Sequence, residues 1–107
     1  MTRKNLGEFE QQILLTLLHL GGEAYSVAIV LEMTKRSGRE VAQSAVFIVL
    51  RRLEDKGLVA SRIEDGSGTG TGRARRYFRV QPEGVDRLKE ARQTMAQFWE
   101  GAEEVLG

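Results

Sequence analysis

The amino-acid sequence predicts a mainly α-helical chain with one β-hairpin, in which three helices precede the hairpin and a long helix follows it. Three observations carry that expectation. Apolar residues recur at helical spacing in three segments before residue 57, and glycine closes each segment. The period then changes to strand-like alternation on both sides of a glycine-rich stretch at 66–72. After Pro82 the helical spacing returns and runs almost to the C-terminus. At 107 residues the chain has room for one compact domain and not for two. It is expected to divide into residues 1–80, which hold the three helices and the hairpin, and residues 81–107, the final helix of the same compact unit.

The first helix is expected over about residues 7–20, with Phe9, Ile13, Leu14, Leu17 and Leu18 on its apolar face and Gly21-Gly22 ending it. The second runs from Ser26, a suitable N-cap, to Lys35, with Val27, Val30, Leu31 and Thr34 facing inward. The third spans about Gln43 to Lys56. Its Val46, Val49, Leu50 and Leu53 fall at i, i+3, i+4 and i+7, which makes a continuous buried stripe. Helices two and three are joined by Ser37–Ala42, a short connection that contains Gly38 and turns Val41 inward. That arrangement is a helix-turn-helix pattern.

In Leu58–Glu64, the side chains of Val59, Ser61 and Ile63 alternate with those of Leu58, Ala60 and Arg62. Arg75–Val80 reads as a second strand. The stretch Gly66-Ser67-Gly68-Thr69-Gly70-Thr71-Gly72 between them carries no apolar side chain and reads as the hairpin tip. A hairpin directly after the second helix of a helix-turn-helix is a wing, so the predicted architecture is a winged helix-turn-helix. Pro82 fits the first turn of the last helix, where its missing N–H costs nothing. Val85, Leu88, Met95, Phe98, Trp99, Ala102, Val105 and Leu106 then trace one apolar face over about six turns. A domain this small cannot cover such a face alone, and a homodimer built on this helix is expected.

Charge is distributed more tellingly than the net value of +1 suggests. From Lys35 to Arg79 there are 11 Lys/Arg against 5 Asp/Glu, whereas the two flanks together carry 5 basic and 10 acidic residues. A basic middle between acidic ends points to one surface that meets a polyanion. The absence of cysteine excludes disulfides, thiolate nucleophiles and thiolate metal sites. The first residues are basic and polar and lack a secretory pattern, and no apolar run approaches the roughly 20 residues of a membrane span. A cytoplasmic, soluble chain is therefore expected.

The face of the third helix opposite its buried stripe carries Gln43 and Ser44 at its start, then Phe47, Ile48, Arg51 and Arg52. A recognition helix reads base edges of double-stranded DNA mainly with its first residues, while longer basic side chains reach phosphates. Gln has the bidentate geometry that matches adenine N6/N7. Two large apolar groups side by side are unusual on a merely solvated face, and Phe47 and Ile48 suit thymine methyls, sugars or the wing. Arg73, Arg75, Arg76 and Arg79 cluster beside the glycine stretch, with Arg73, Arg75 and Arg79 on one side of the strand and Arg76 with Phe78 on the other. Arginine on a wing suits phosphates and a narrow minor groove, whereas the plainer use of such residues is to guard a sheet edge.

Other features invite chemistry that the pattern does not support. The glycine stretch matches neither nucleotide-binding fingerprint, and it joins two strands instead of opening a helix. His19, the lone histidine, has no nucleophile or metal partner nearby in sequence and reads as a partly buried side chain with one hydrogen bond. Asp86 with Glu90, and Glu100 with Glu103 and Glu104, read as solvated acidic faces. No catalytic residue, metal site or cofactor is called for. Met95, Phe98 and Trp99 fit dimer-interface packing, with a pocket for a planar aromatic effector as the sharper alternative.

The chain resembles the PadR family of bacterial transcriptional regulators, in its short form with a single C-terminal helix. The likeness rests on Leu6-Gly7-Glu8-Phe9-Glu10, on Glu23-Ala24-Tyr25-Ser26-Val27, and on the continuous stretch Ala45–Val59 with its Arg52-Leu53-Glu54 and Gly57-Leu58. It continues through Gly72-Arg73-Ala74-Arg75-Arg76-Tyr77-Phe78-Arg79-Val80 and Pro82-Glu83-Gly84. The resemblance implies a dimeric repressor on an inverted-repeat operator, with release of DNA by a phenolic or multidrug ligand in some relatives. Four positions depart from the family pattern: Phe47 stands where Tyr is usual, Ser26 where Gly is, Gln81 where Thr or Ser is, and Ala42 where a capping Ser is common. The competing class is a winged helix used for protein–protein contact, against which the arginine-rich wing counts.

Overall fold

The computed structural model describes residues 5–65 and 74–107. Helix α1 (Glu8–His19) leads into a short strand β1 (Glu23–Tyr25), then α2 (Ser26–Ser37) and α3 (Gln43–Asp55). Strands β2 (Val59–Glu64) and β3 (Arg75–Val80) follow, then α4 (Pro82–Trp99) and a one-turn α5 (Ala102–Leu106). The architecture is the predicted one: helix-turn-helix, hairpin, final helix. The glycine stretch expected at the hairpin tip lies outside the described residues.

Alternation builds the core. Ile13, Leu14 and Leu17 of α1 meet Val46, Leu50 and Leu53 of α3, all essentially solvent-free, and Leu58, Val59 and Phe78 close the other side. Removing such a side chain to Ala typically costs about 2–5 kcal/mol. Val41 folds inward from the connection between α2 and α3 and packs against this cluster. At the end of α3, Gly57 takes φ +76°, a left-handed conformation that a Cβ disfavours. There Leu58 N–H donates to Leu53 O (3.0 Å) and Gly57 N–H to Glu54 O (2.9 Å), the paired bonds of a Schellman stop. The chain thereby leaves the helix directly into β2.

Five expectations are corrected. On α2 the buried residues are Ile29 and Met33, while Val27 is exposed and Leu31 is 66% exposed. This helix carries apolar residues on two adjoining stripes, and its packing against α1 and α3 selects the one with Ile29 and Met33. The N-cap of α2 is Tyr25, in extended conformation at the end of β1, and Ser26 is already helical. Strand β1 itself was not anticipated. It adds to the hairpin as an edge strand, giving a three-stranded antiparallel sheet in the order β1-β3-β2 with Ala24 opposite Phe78. The final helix is not continuous: it ends at Trp99, Gly101 takes φ +80°, and α5 restarts at Ala102. His19 is exposed on α1 and not partly buried.

Helix α4 is seated by a close approach. Gln81 N–H donates to Leu58 O (2.9 Å), and a Cβ built on Gly84 would lie 2.5 Å from the same carbonyl oxygen. Only a residue without a side chain fits there. Gly84 and Leu88 are buried against the domain, whereas the helix beyond residue 91 is exposed.

Candidate nucleic-acid interface

The exposed face of α3 comes directly from its periodicity. With Val46, Val49, Leu50 and Leu53 buried, Gln43, Ser44, Phe47, Ile48, Arg51 and Arg52 share the outer side. Gln43 and Ser44 form the first turn and are exposed. Ala42 precedes them as the N-cap and has no polar side chain to offer, so the positive end of the helix dipole stays at the surface. Ile48 is 59% exposed. Phe47 is 39% exposed because its ring also meets Phe78 of β3 edge-on, with centroids 6.2 Å apart. The side chain singled out for its exposure is thus half committed to the wing strand.

Pairing of β2 with β3 sorts the wing residues onto two faces. Arg76, Phe78 and Val80 face the helices together with Val59, Ser61 and Ile63, and the register sets Ser61 opposite Phe78 and Ile63 opposite Arg76. Arg75, Tyr77 and Arg79 lie on the outer face with Arg62 and Glu64. Arg75 stacks its guanidinium 4.7 Å over the Tyr25 ring. A groove of about 440 Å³ runs between the start of α2, Phe47, Ala74 and the β3 residues Arg75 and Arg76. Phe47 of the third helix and the wing residues Arg75 and Arg76 therefore border one channel. Arg73 lies outside the described residues.

Several basic residues of this region have partners within the chain. Arg62 reaches across β3 above Tyr77, its guanidinium 4.7 Å from the ring, and pairs with Glu23 (2.9 Å) and Glu64 (2.9 Å). Those hydrogen bonds lower the Glu23 pKa and raise that of Arg62. Arg51 lies 3.5 Å from Glu54 one turn on. Arg76 donates to Ser61 Oγ (2.9 Å), and Ser61 in turn donates to Glu54 Oε2. None of these pairings was legible from charge counting, which adds every arginine alike.

Residues 14–90 match the Transcriptional regulator PadR-like family. The chain belongs to that family. A PadR family transcriptional regulator from Eggerthella lenta is similar at 27% identity, covering 92% of this chain and 86% of its own, with a TM-score of 0.70. A PadR-like transcriptional regulator from Bacillus cereus shares the fold at 19% identity, with coverages of 92% and 90% and a TM-score of 0.72. A winged-helix DNA-binding protein from STIV shares it at 17% identity, with coverages of 90% and 92% and a TM-score of 0.62. No curated protein matches the sequence. These findings make the chain a PadR-like, winged-helix, DNA-binding transcriptional regulator. No helix among the described residues is long and apolar enough to cross a membrane.

The second surface of this PadR-like chain is apolar. A groove of about 550 Å³ between α1 and α4 is lined by Leu15, Leu18, Val85, Leu88, Met95, Ala96 and Trp99, among others. Trp99 is 51% exposed and Phe98 77% exposed. The structure brings Met95 and Trp99 together with α1 but leaves Phe98 outside this groove. Leu88 already belongs to the chain's own core, and Ala102 and Leu106 stand beyond the break at Gly101.

Proposed function

We propose that the chain is a dimeric, cytoplasmic, nucleoid-associated repressor that binds an inverted-repeat operator. The observation that carries this reading is the groove in which Phe47, on the exposed face of α3 one turn beyond Gln43 and Ser44, meets the arginine-bearing wing strand. Gln43 and Ser44 read base edges. Phe47 and Ile48 make apolar contacts, and Arg51, Arg52, Arg73 and Arg75 meet phosphates. Two such units must lie about 34–36 Å apart to engage one face of a duplex. The α1–α4 groove supports the dimer that would space them, with α4 of one protomer on α1 of its partner.

Selection of a duplex from a random library, followed by fluorescence anisotropy at several salt concentrations, tests the reading. Binding should weaken steeply with salt, as counterion release requires. Salt-independent binding, or none, would favour a winged helix used for protein contact. An effector is part of the same proposal: a planar aromatic ligand at Met95 and Trp99 would favour one dimer shape over another and so release DNA. Phe98, expected in that pocket, would join it from the partner's side. Titration of planar aromatic compounds against Trp99 fluorescence reads this directly, and absence of quenching below millimolar concentration would reduce the cluster to packing.

A further inference from the structure

We infer that Ser61 is a positioning residue that couples the recognition helix α3 to the wing, and that Arg76 acts inside the protein through Ser61 and not on a phosphate. This rests on the DNA-binding reading and deepens it. The Ser61 hydroxyl uses both of its capacities at once: it donates to Glu54 Oε2 on α3 and accepts from Arg76 on β3 (2.9 Å). A single oxygen on β2 thus joins three elements. The strand register makes this possible, because Ser61, Arg76 and Phe78 all stand on the helix-facing side of the sheet.

The second half of the argument is leverage. Helix α3 touches β3 through Phe47 on Phe78 near its start and reaches the sheet again through Glu54 near its end. Seven residues separate the two points, about 10 Å along a helix axis. The buried stripe of α3 holds the helix on the core, and these two contacts, one near each end, add to the definition of its direction against the wing. A reader that must place its first turn on base edges while its wing meets the flanking backbone depends on that fixed direction. Ser61 links Arg76 to the Glu54 carboxylate, whereas Arg75 and Arg79 stand on the outer face of the described wing strand.

Two measurements test the assignment. In urea unfolding of the DNA-free protein, Ser61→Ala and Arg76→Ala should be non-additive, the double variant losing no more than the worse single one, while Ser61→Thr keeps wild-type behaviour. On a duplex selected from a random library, Arg76→Ala and Ser61→Ala should each lower the ratio of selected to non-specific affinity by about tenfold. They should leave the slope of log Kd against log salt unchanged, and Ser61→Thr should restore the ratio. Additive unfolding effects, or a shallower salt slope for Arg76→Ala, would overturn the inference in a protein that still binds DNA. A wild-type chain that enriches no duplex would overturn the regulatory reading and the positioning role together.

Discussion

Lys56 Nζ lies 2.7 Å from Glu10 Oε2, and this ion pair ties the end of the recognition helix to the first turn of α1. Glu10 is buried, and its other oxygen accepts from Gly7 N–H (2.8 Å). The same carboxylate therefore caps α1 and anchors α3. Because α1 also lines the apolar groove, the pair connects the surface expected at the dimer axis with the helix expected on DNA.

Acid should test that anchor. Burial pushes the Glu10 carboxyl up, but hydrogen bonds from Lys56 and Gly7 outweigh it and hold the group below its ordinary value of 4.5. A depressed carboxyl contributes stability that is present above the unfolded value and lost as pH falls through the folded one. The Tm of the wild type should therefore fall on acidification below about pH 4.5, and Glu10→Gln should flatten that limb. Lys56→Met should cost about 1–3 kcal/mol at neutral pH. Parallel acid limbs for wild type and Glu10→Gln would contradict the assignment.

Gly84 offers a test of how α4 is seated. A methyl group there would meet Leu58 O at 2.5 Å, and that oxygen is already fixed by the Gln81 N–H. Gly84→Ala gains helix propensity yet should lower stability by about 1–3 kcal/mol through overpacking. Urea unfolding measures it, and a neutral or stabilising result would mean that α4 shifts freely on β2.

Gln43 and Arg75 should separate reading from positioning. Gln43→Ala should cost about 1–3 kcal/mol on a selected duplex and much less on a non-specific one. Arg75→Ala should weaken both duplexes alike and make the salt slope shallower by about one. Equal losses for Gln43→Ala on the two duplexes would remove it from the base-reading set.

The apolar groove predicts the assembly. Leu15 and Trp99 are both half exposed in the single chain, so Leu15→Glu and Trp99→Glu should leave the fold intact. Each should weaken self-association by at least about tenfold, or 1.4 kcal/mol, because the partner would have to desolvate a carboxylate. Sedimentation at low micromolar concentration measures the dimer. A wild-type monomer that binds DNA tightly would contradict it.

Local chemistry settled much of this chain before any folding was considered. The stripe Val46, Val49, Leu50 and Leu53, the stop at Gly57, the hairpin alternation and the start at Pro82 are short-range patterns, each complete within a few residues. Together with Arg52-Leu53-Glu54 and the arginine-rich wing strand, they were enough to point to a winged helix and to its family. What the tertiary structure decided is what depends on a partner far along the chain. Three residues are too few to announce β1, which exists because β3 offers it an edge. Ile29 and Met33 are buried, and not Val27 and Leu31, because α1 and α3 choose between two apolar stripes that the α2 sequence leaves equivalent. Glu10 finds Lys56 across 46 residues, and Ser61 joins Glu54 to Arg76 only once helix and sheet are packed. Periodicity is a property of one segment, whereas the pairing of buried polar groups is a property of the whole fold.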